Sequence, residues 1–253
     1  MSRIVVMHAG ANKTKRWGGF RAPIFSNGSF IFMQFPTAEG HVHDPEPPTY
    51  NQLGWGPYVR PEILNRRVHL DPNFGAISTY GHARRPGDEV IFGLKGGAGH
   101  LFFMASLHFD KSRGEDQLSW INPHWGVYLI GGFRVKHVLT QSEFSTADLD
   151  VRQTFRENPH YTRRDSEPIA HVWISGSEGG LLNVAVPLSD PIEPCKPNEF
   201  TKAVFRTTTG KKITENVPFY HLVLLCEENA EEFWKEVSSK NPNAREWVNP
   251  VRK

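Results

Sequence analysis

The apolar residues of this chain occur in short runs, which glycine- and proline-rich stretches separate. Residues 4–7, 101–109 and 125–133 are such runs. Short apolar runs bounded by turn residues are typical of buried β-strands, whereas an amphipathic helix needs a longer periodic pattern. Of the 19 prolines, several crowd into residues 36–61, where they interrupt any regular element. The pattern therefore predicts a β-rich protein.

A smaller helical part completes the predicted fold. Residues 229–239 carry Phe233, Trp234 and Val237 at helical spacing, which predicts a closing helix. Residues 140–157 are predicted to hold one short helix that begins at Ser145. We found no internal repeat or linker. We therefore expect a single α+β domain over residues 1–253, built around a mostly antiparallel, open or barrel-like sheet with few helices.

Two further elements are predicted from turn signals. Pro86 and Gly87 form a turn that leads through Asp88 into a strand over residues 89–94. Residues 171–174 and 181–186 are predicted to pair as a hairpin around the serine- and glycine-rich residues between them.

Length, charge and cysteine content exclude several classes of protein. With 253 residues, of which 38% are hydrophobic, the chain can bury a sizeable core. No apolar run reaches the roughly 18 residues that cross a bilayer, and the first residues lack the apolar core of a signal peptide. The 2 cysteines argue against a disulfide framework. We expect a cytoplasmic protein, and the net charge of +2 does not by itself indicate nucleic-acid binding.

The segment His69-Leu70-Asp71-Pro72 is the first candidate for chemistry. On an extended chain, His69 and Asp71 lie on the same face. Histidine titrates near neutral pH and suits acid–base catalysis, and a nearby carboxylate would fix its tautomer. A structural interpretation is equally open, because Asp before Pro often begins a turn.

A second candidate is the glycine-rich basic loop that contains Trp17. Glycines let the backbone approach a ligand closely, and nearby cations neutralise phosphate. The order of residues differs from the GxxxxGK[ST] loop, and a solvated turn is an equally good interpretation. The loop residues assigned to phosphate contacts are Lys13, Arg16, Gly18 and Gly19.

The 12 histidines raise the question of a metal site. His41 and His43 lie close to Asp44 in the proline-rich part, and further histidines are scattered along the chain. The sequence lacks the HExxH helix and the paired CxxC motifs that make a metal site specific. A metal is therefore not favoured, and no cofactor is assigned.

Aromatic and basic residues cluster at positions 80–85, 120–125 and 158–164. Rings can stack on bases, and arginine can bind phosphate through two parallel hydrogen bonds. Core packing for each ring and a surface ion pair for each arginine remain the simpler interpretations. The residues assigned to phosphate or nucleotide contacts here are Arg84, His160 and Arg163, and those assigned to base stacking are Trp17, Trp120 and Trp125.

The order of these segments resembles the type-three nucleotide-modification-associated domain. The likeness rests on the Gly-Gly loop with Ala22-Pro23-Ile24 and Asn27-Gly28, on residues 68–72, 86–92 and 126–133, and on Asn158-Pro159-His160. It covers roughly the first 190 residues, and the remainder matches more loosely. Members of this family occur in genomic neighbourhoods tied to modified DNA bases. The resemblance implies a functional role for Lys13, Gly18, Gly19, His69, Asp71, Asp88 and His160. Asp88 is accordingly assigned to nucleotide contacts.

A weaker likeness links residues 87–92 and 127–132 to the strands of PUA-like barrels such as the EVE and ASCH groups. Those barrels bind modified bases or RNA in an aromatic-lined cleft, so this likeness implies a reader of modified bases.

The sequence thus predicts a protein that binds a nucleotide or nucleic acid, with DNA favoured, and that takes part in base modification. As an enzyme, it would use His69 as acid or base and Asp71 to orient it, with phosphate held by Lys13 and Arg16. The alternatives are a non-catalytic reader that stacks a base between tryptophans and an interaction partner of a modification enzyme.

Overall fold

The computed structural model describes residues 3–9, 20–82, 88–97, 99–215, 222–225 and 227–247. The strands are β1 (Arg3–His8), β2 (Pro23–Phe25), β3 (Asn73–Phe74), β4 (Ser78–His82), β5 (Gly99–Asp110), β6 (Trp125–Thr140), β7 (Val172–Pro187), β8 (Phe205–Thr207) and β9 (Leu222–Leu225). The α-helices are α1 (Asp88–Phe92), α2 (Gln141–Thr146), α3 (Leu149–Gln153), α4 (Pro159–Thr162), α5 (Glu199–Val204) and α6 (Ala230–Lys240). None of the helices in these ranges is long and apolar enough to cross a membrane.

All the strands belong to one 9-stranded sheet. Its order is β3-β4-β7-β6-β5-β1-β9-β8, and β2 pairs with β5 outside this path. The strands β1 and β2 run parallel to β5, and the other pairs are antiparallel. The predicted α+β fold with a mostly antiparallel sheet is therefore confirmed. The sheet is open rather than barrel-like, since its order begins at β3 and ends at β8 without pairing the two.

The two faces of the sheet carry separate cores, because successive side chains of a strand point to opposite faces. Leu101 and Phe103 of β5 belong to the first core, and Phe102 and Met104 belong to the second. Helix α6 covers the second face with side chains that include Phe233, which is fully buried. The predicted strands at β1, β5 and β6 and the predicted closing helix are confirmed.

A third, smaller cluster of buried side chains lies beside the start of β7. The Phe144 and Trp173 rings stack with centroids 3.9 Å apart, and the Phe155 ring meets Trp173 edge-on. Gln141 fixes this packing, because its side-chain oxygen accepts hydrogen bonds from the Trp173 indole and from the Ala170 backbone. The packing of this cluster supports the segment that leads to α4.

The predicted hairpin around residues 175–180 is wrong, because β7 continues through these residues as one strand. It stays paired with β6, with shifts of register on the way. Glycines allow the backbones of β6 and β7 to lie this close together. A Cβ atom at Gly179 would stand 2.1 Å from the Gly132 oxygen, and one at Gly176 would stand 2.0 Å from the Arg134 oxygen. Glycine often indicates a turn, but in β7 it allows close contact between two backbones instead.

Two other local predictions are also wrong. Asp88 begins helix α1 instead of preceding a strand, which also removes the first of the two strands behind the PUA-like likeness. Val90, Ile91 and Leu94 are all buried, which suits one side of a helical turn as well as a buried strand.

Residues 140–157 form two helices rather than one that begins at Ser145. Thr140 is the N-cap of α2 and exchanges hydrogen bonds with Glu143 in a capping box, and Asp148 precedes α3. The Thr-x-x-Glu pattern is the signal for this start, and its threonine lies five residues before Ser145.

We expect Gly179→Ala to lower the free energy of unfolding by about 1–3 kcal/mol or more, because its methyl group would clash with the β6 backbone. Gly75→Ala is the matched control, since its added Cβ would meet nothing closer than 3.6 Å. Urea denaturation followed by circular dichroism measures both. Equal stabilities would contradict the close pairing of β6 and β7.

Candidate functional site

The first part of the site is the turn that contains His69 and Asp71. Val68 forms an isolated antiparallel β-bridge with Pro36 just before this turn. The Asp71 backbone N–H then donates to the His69 carbonyl at 2.8 Å, so the two residues flank a tight turn rather than a regular strand. The turn brings their side chains together even though the alternation of an extended chain does not apply here.

The Asp71 carboxylate is buried, with only 3% of the side chain exposed. It binds the edge of the sheet, because the Gly81 backbone N–H donates to its Oδ1 at 3.1 Å and its Oδ2 at 3.2 Å. The strand β3 pairs with β4 only as far as Thr79, so Gly81 lies beyond that pairing. A buried carboxylate is costly unless it is hydrogen-bonded, and these bonds offset that cost.

Asn158 joins this carboxylate to helix α4. It is fully buried, and its Nδ2 donates to Asp71 Oδ1 at 3.0 Å and to Thr79 Oγ1 at 3.3 Å. Its Oδ1 accepts from the His160 backbone N–H at 3.0 Å, as an N-cap does. One side chain therefore positions both Asp71 and His160.

His160 completes a cluster with His69 and Asp71, which we call the His–Asp–His site. One potential ligand atom from each residue lies within 4.8 Å of the others. The His160 Nε2 is 3.5 Å from Asp71 Oδ2, and the two imidazole rings meet edge-on with centroids 4.9 Å apart. Both histidines remain partly exposed, whereas Asp71 is buried beneath them.

A close approach of backbone and ring shapes this site. A Cβ atom at Gly81 would stand 3.2 Å from His160 Cδ2 and 3.6 Å from Asn158 Oδ1. The missing side chain lets helix α4 lie directly on β4. Gly81 thus supplies the site with both a hydrogen-bond donor and space.

The protein environment keeps His69 neutral at neutral pH. Burial, followed by the neighbouring His160, lowers the pKa of His69 from 6.5 to about 4, although the charge of Asp71 opposes this shift. Within the described part of the chain, no hydrogen bond to the His69 ring is formed. A ring with so low a pKa is a weak base at neutral pH, so it suits binding through its lone pair better than proton removal.

His43 lies close to the same site. Its Nδ1 is 3.1 Å from the hydroxyl of Thr162 in helix α4, and its Nε2 is buried without a hydrogen-bond partner among the described residues. Burial, followed by the neighbouring His41, lowers the pKa of His43. The charge of His160 contributes to the lowered pKa of His43, and the charge of His43 contributes to that of His69, so the three imidazoles lie within electrostatic range.

The other residues assigned to binding are dispersed or already engaged. Arg163 follows helix α4, but its guanidinium binds Asp165 through contacts of 3.0 and 2.7 Å. Asp88 begins helix α1, and the position of its side chain lies outside the described part. The remaining assigned residues that fall outside the described ranges are Lys13, Arg16, Trp17, Gly18, Gly19 and Arg84.

The two described tryptophans assigned to base stacking do not face each other. Trp120 packs against the core of the first face, with its ring 6.4 Å from that of Tyr128 and Lys240 Nζ 5.6 Å above it. Trp125 packs against the core of the second face. The pair therefore forms no common clamp for a base.

A comparison with protein-family models decides the family. The model described as nucleotide modification associated domain 3 matches residues 3–219. The chain belongs to this family. The match contains all of the His–Asp–His site and confirms the resemblance seen in the sequence. No curated protein and no solved structure matches the chain.

The sequence interpretation missed the residues that assemble the site. Asn158 stands before Pro159, a pattern typical of a helix N-terminus, and this was the available signal for its capping role. The contact of Gly81 with Asp71 had no local signal, because it depends on how β4 meets a distant turn.

Asn158→Ala is expected to lower the free energy of unfolding by about 2–3 kcal/mol, because it removes a helix cap and leaves a buried carboxylate with one donor fewer. Asn198 is the matched control, since it caps helix α5 through Thr201 and touches nothing in the site. Asn198→Ala should cost about 1 kcal/mol. Guanidinium denaturation gives both values, and an equal loss would argue against the added role of Asn158.

Proposed function

We propose that this chain binds a nucleotide or nucleic acid, with DNA favoured, and carries out a step of base modification at the His–Asp–His site. Membership of the nucleotide modification associated domain 3 family supports a role in base modification. The observation that carries the proposal is the convergence of His69, Asp71 and His160 within 4.8 Å, from segments far apart in the sequence.

The composition of the site favours an enzyme over a reader. Groups whose pKa is strongly perturbed by burial and by neighbouring charges cluster at reaction centres, and His69 is such a group. A reader that relies on stacking needs aromatic rings that line its binding groove. Because Trp120 and Trp125 pack against different core clusters, a reader would depend on Trp17 or on other rings.

Phosphate contacts would come from basic residues, of which Arg163 and Arg164 lie next to helix α4. Arg164 follows helix α4, and 48% of its side chain is exposed. Arg163 would have to exchange Asp165 for phosphate, which it can do because guanidinium binds both in the same bidentate way. Lys13, Arg16 and Arg84 complete the proposed set of cations.

A binding and turnover screen tests this function. The ligands are free nucleotides and short DNA with normal, hydroxymethylated or glucosylated bases. We expect one ligand class to stabilise the protein, by about 2.7 kcal/mol at a concentration of 100 times Kd. Mass spectrometry of the recovered bases follows turnover.

The variants assign the effect to the site. His69→Ala and Asp71→Ala should abolish turnover and reduce ligand stabilisation, whereas the exposed His124→Ala should behave as wild type. Unchanged binding and turnover in both site variants would refute the proposed site. Loss of binding in Trp120→Ala or Trp125→Ala, with no substrate consumed by any variant, would establish the reader instead.

A further inference from the structure

We propose that the His–Asp–His site holds a divalent transition-metal ion through His69, Asp71 and His160. The inference deepens the proposed function, on which it rests for the role of the ion. Binding of the ion is measured without any nucleotide, so the two proposals can fail separately.

The spacing of the site fits a shared cation better than a direct ion pair. A charge-assisted hydrogen bond between imidazolium and carboxylate would bring the heavy atoms to about 2.7–2.9 Å. His160 Nε2 and Asp71 Oδ2 are 3.5 Å apart. Two ligands that bind one ion tetrahedrally at 2.0–2.2 Å stand about 3.4 Å from each other. The observed separation therefore matches two neighbouring ligands of one ion.

The hydrogen bonds of Asp71 leave one oxygen available. Oδ1 accepts from both Asn158 and Gly81, whereas Oδ2 has only the Gly81 N–H at 3.2 Å and faces His160. Neither lysine nor arginine pairs with this buried carboxylate in the described part of the chain. Hydrogen bonds behind a ligand orient it toward a metal, and Asn158 is such a positioning residue here.

The histidines also have nitrogens to offer. No described residue makes a hydrogen bond to the His69 ring, so the ring can rotate toward an ion without losing one. His43 adds a second observation that points to a ligand, since its residue is 6% exposed and its buried Nε2 has no partner among the described residues. His43 lies outside the three-residue cluster but within electrostatic range of His69, so, among the described residues, the site combines an imidazole that makes no hydrogen bond and a neighbouring buried imidazole nitrogen that lacks one.

The donor set selects the class of ion. Two imidazoles and one carboxylate, with further positions open, are the ligands of catalytic zinc and of non-haem ferrous iron. Magnesium and calcium prefer oxygen ligands alone, so they should bind weakly. An ion here would have Asp71 beneath it and open positions on the exposed side, where a substrate atom or water could bind.

Metal titration of the full chain tests the proposal. The purified protein is stripped with a chelator and titrated with Zn²⁺, Mn²⁺, Mg²⁺ and, without oxygen, Fe²⁺. Calorimetry and elemental analysis after dialysis give affinity and stoichiometry. We expect one equivalent of a transition metal, bound at least about 100-fold more tightly than Mg²⁺.

The variants locate the ion. His69→Ala and His160→Ala should each weaken binding at least about 100-fold, and Asn158→Ala about 10- to 100-fold. His124→Ala and Asn198→Ala are the controls and should bind as wild type. His69→Ala is decisive, because its ring makes no hydrogen bond within the described residues and its loss should leave the fold intact.

Two results would overturn the metal proposal: no preference for a transition metal over Mg²⁺, or affinity that persists in both His69→Ala and His160→Ala. If the metal binds as expected but no nucleotide or DNA does, the metal site stands and the proposed function fails. Ligand binding and turnover that depend on His69 without any bound metal would leave the proposed function standing and refute the metal site.

Discussion

The buried carboxylate of Asp71 is the interaction on which the site depends. It joins the turn after Val68, the part of strand β4 that extends beyond β3 and the start of helix α4 through the hydrogen bonds of Gly81 and Asn158. A charge in this position is tolerated only while those donors are in place, because an unsatisfied buried carboxylate is strongly unfavourable. The chemistry that the site offers and the local stability of this region therefore rest on the same atoms.

The central strands of the sheet could be predicted from the sequence, for a physical reason. Strands β5 and β6 contain apolar runs that lie buried in the middle of the sheet, and such runs indicate a strand by themselves. The short apolar run in α1 is compatible with a helix or a strand, so packing decides its form. In β7 the glycines were interpreted as a turn, since close backbone contact and a turn select the same residue.

The site could be predicted only in part. The spacing of His69 and Asp71 is local, so the pair could be singled out, and the resemblance added His160. That these residues meet was not accessible, because it depends on tertiary contacts of Asn158 and Gly81. The low pKa of His69 could not be predicted either, since the burial that lowers it depends on the folded chain and not on neighbours in sequence.

The hydrogen bond between Asn158 and Asp71 spans 87 residues of sequence. Between its two ends lie β4, β5 and β6, so the loop it closes contains the middle of the sheet. Closing a loop of this length has an entropic cost that contacts between near neighbours in sequence do not have. A chain that ended before α4 would contain His69 and Asp71 but would lack His160, so it could not form the His–Asp–His site.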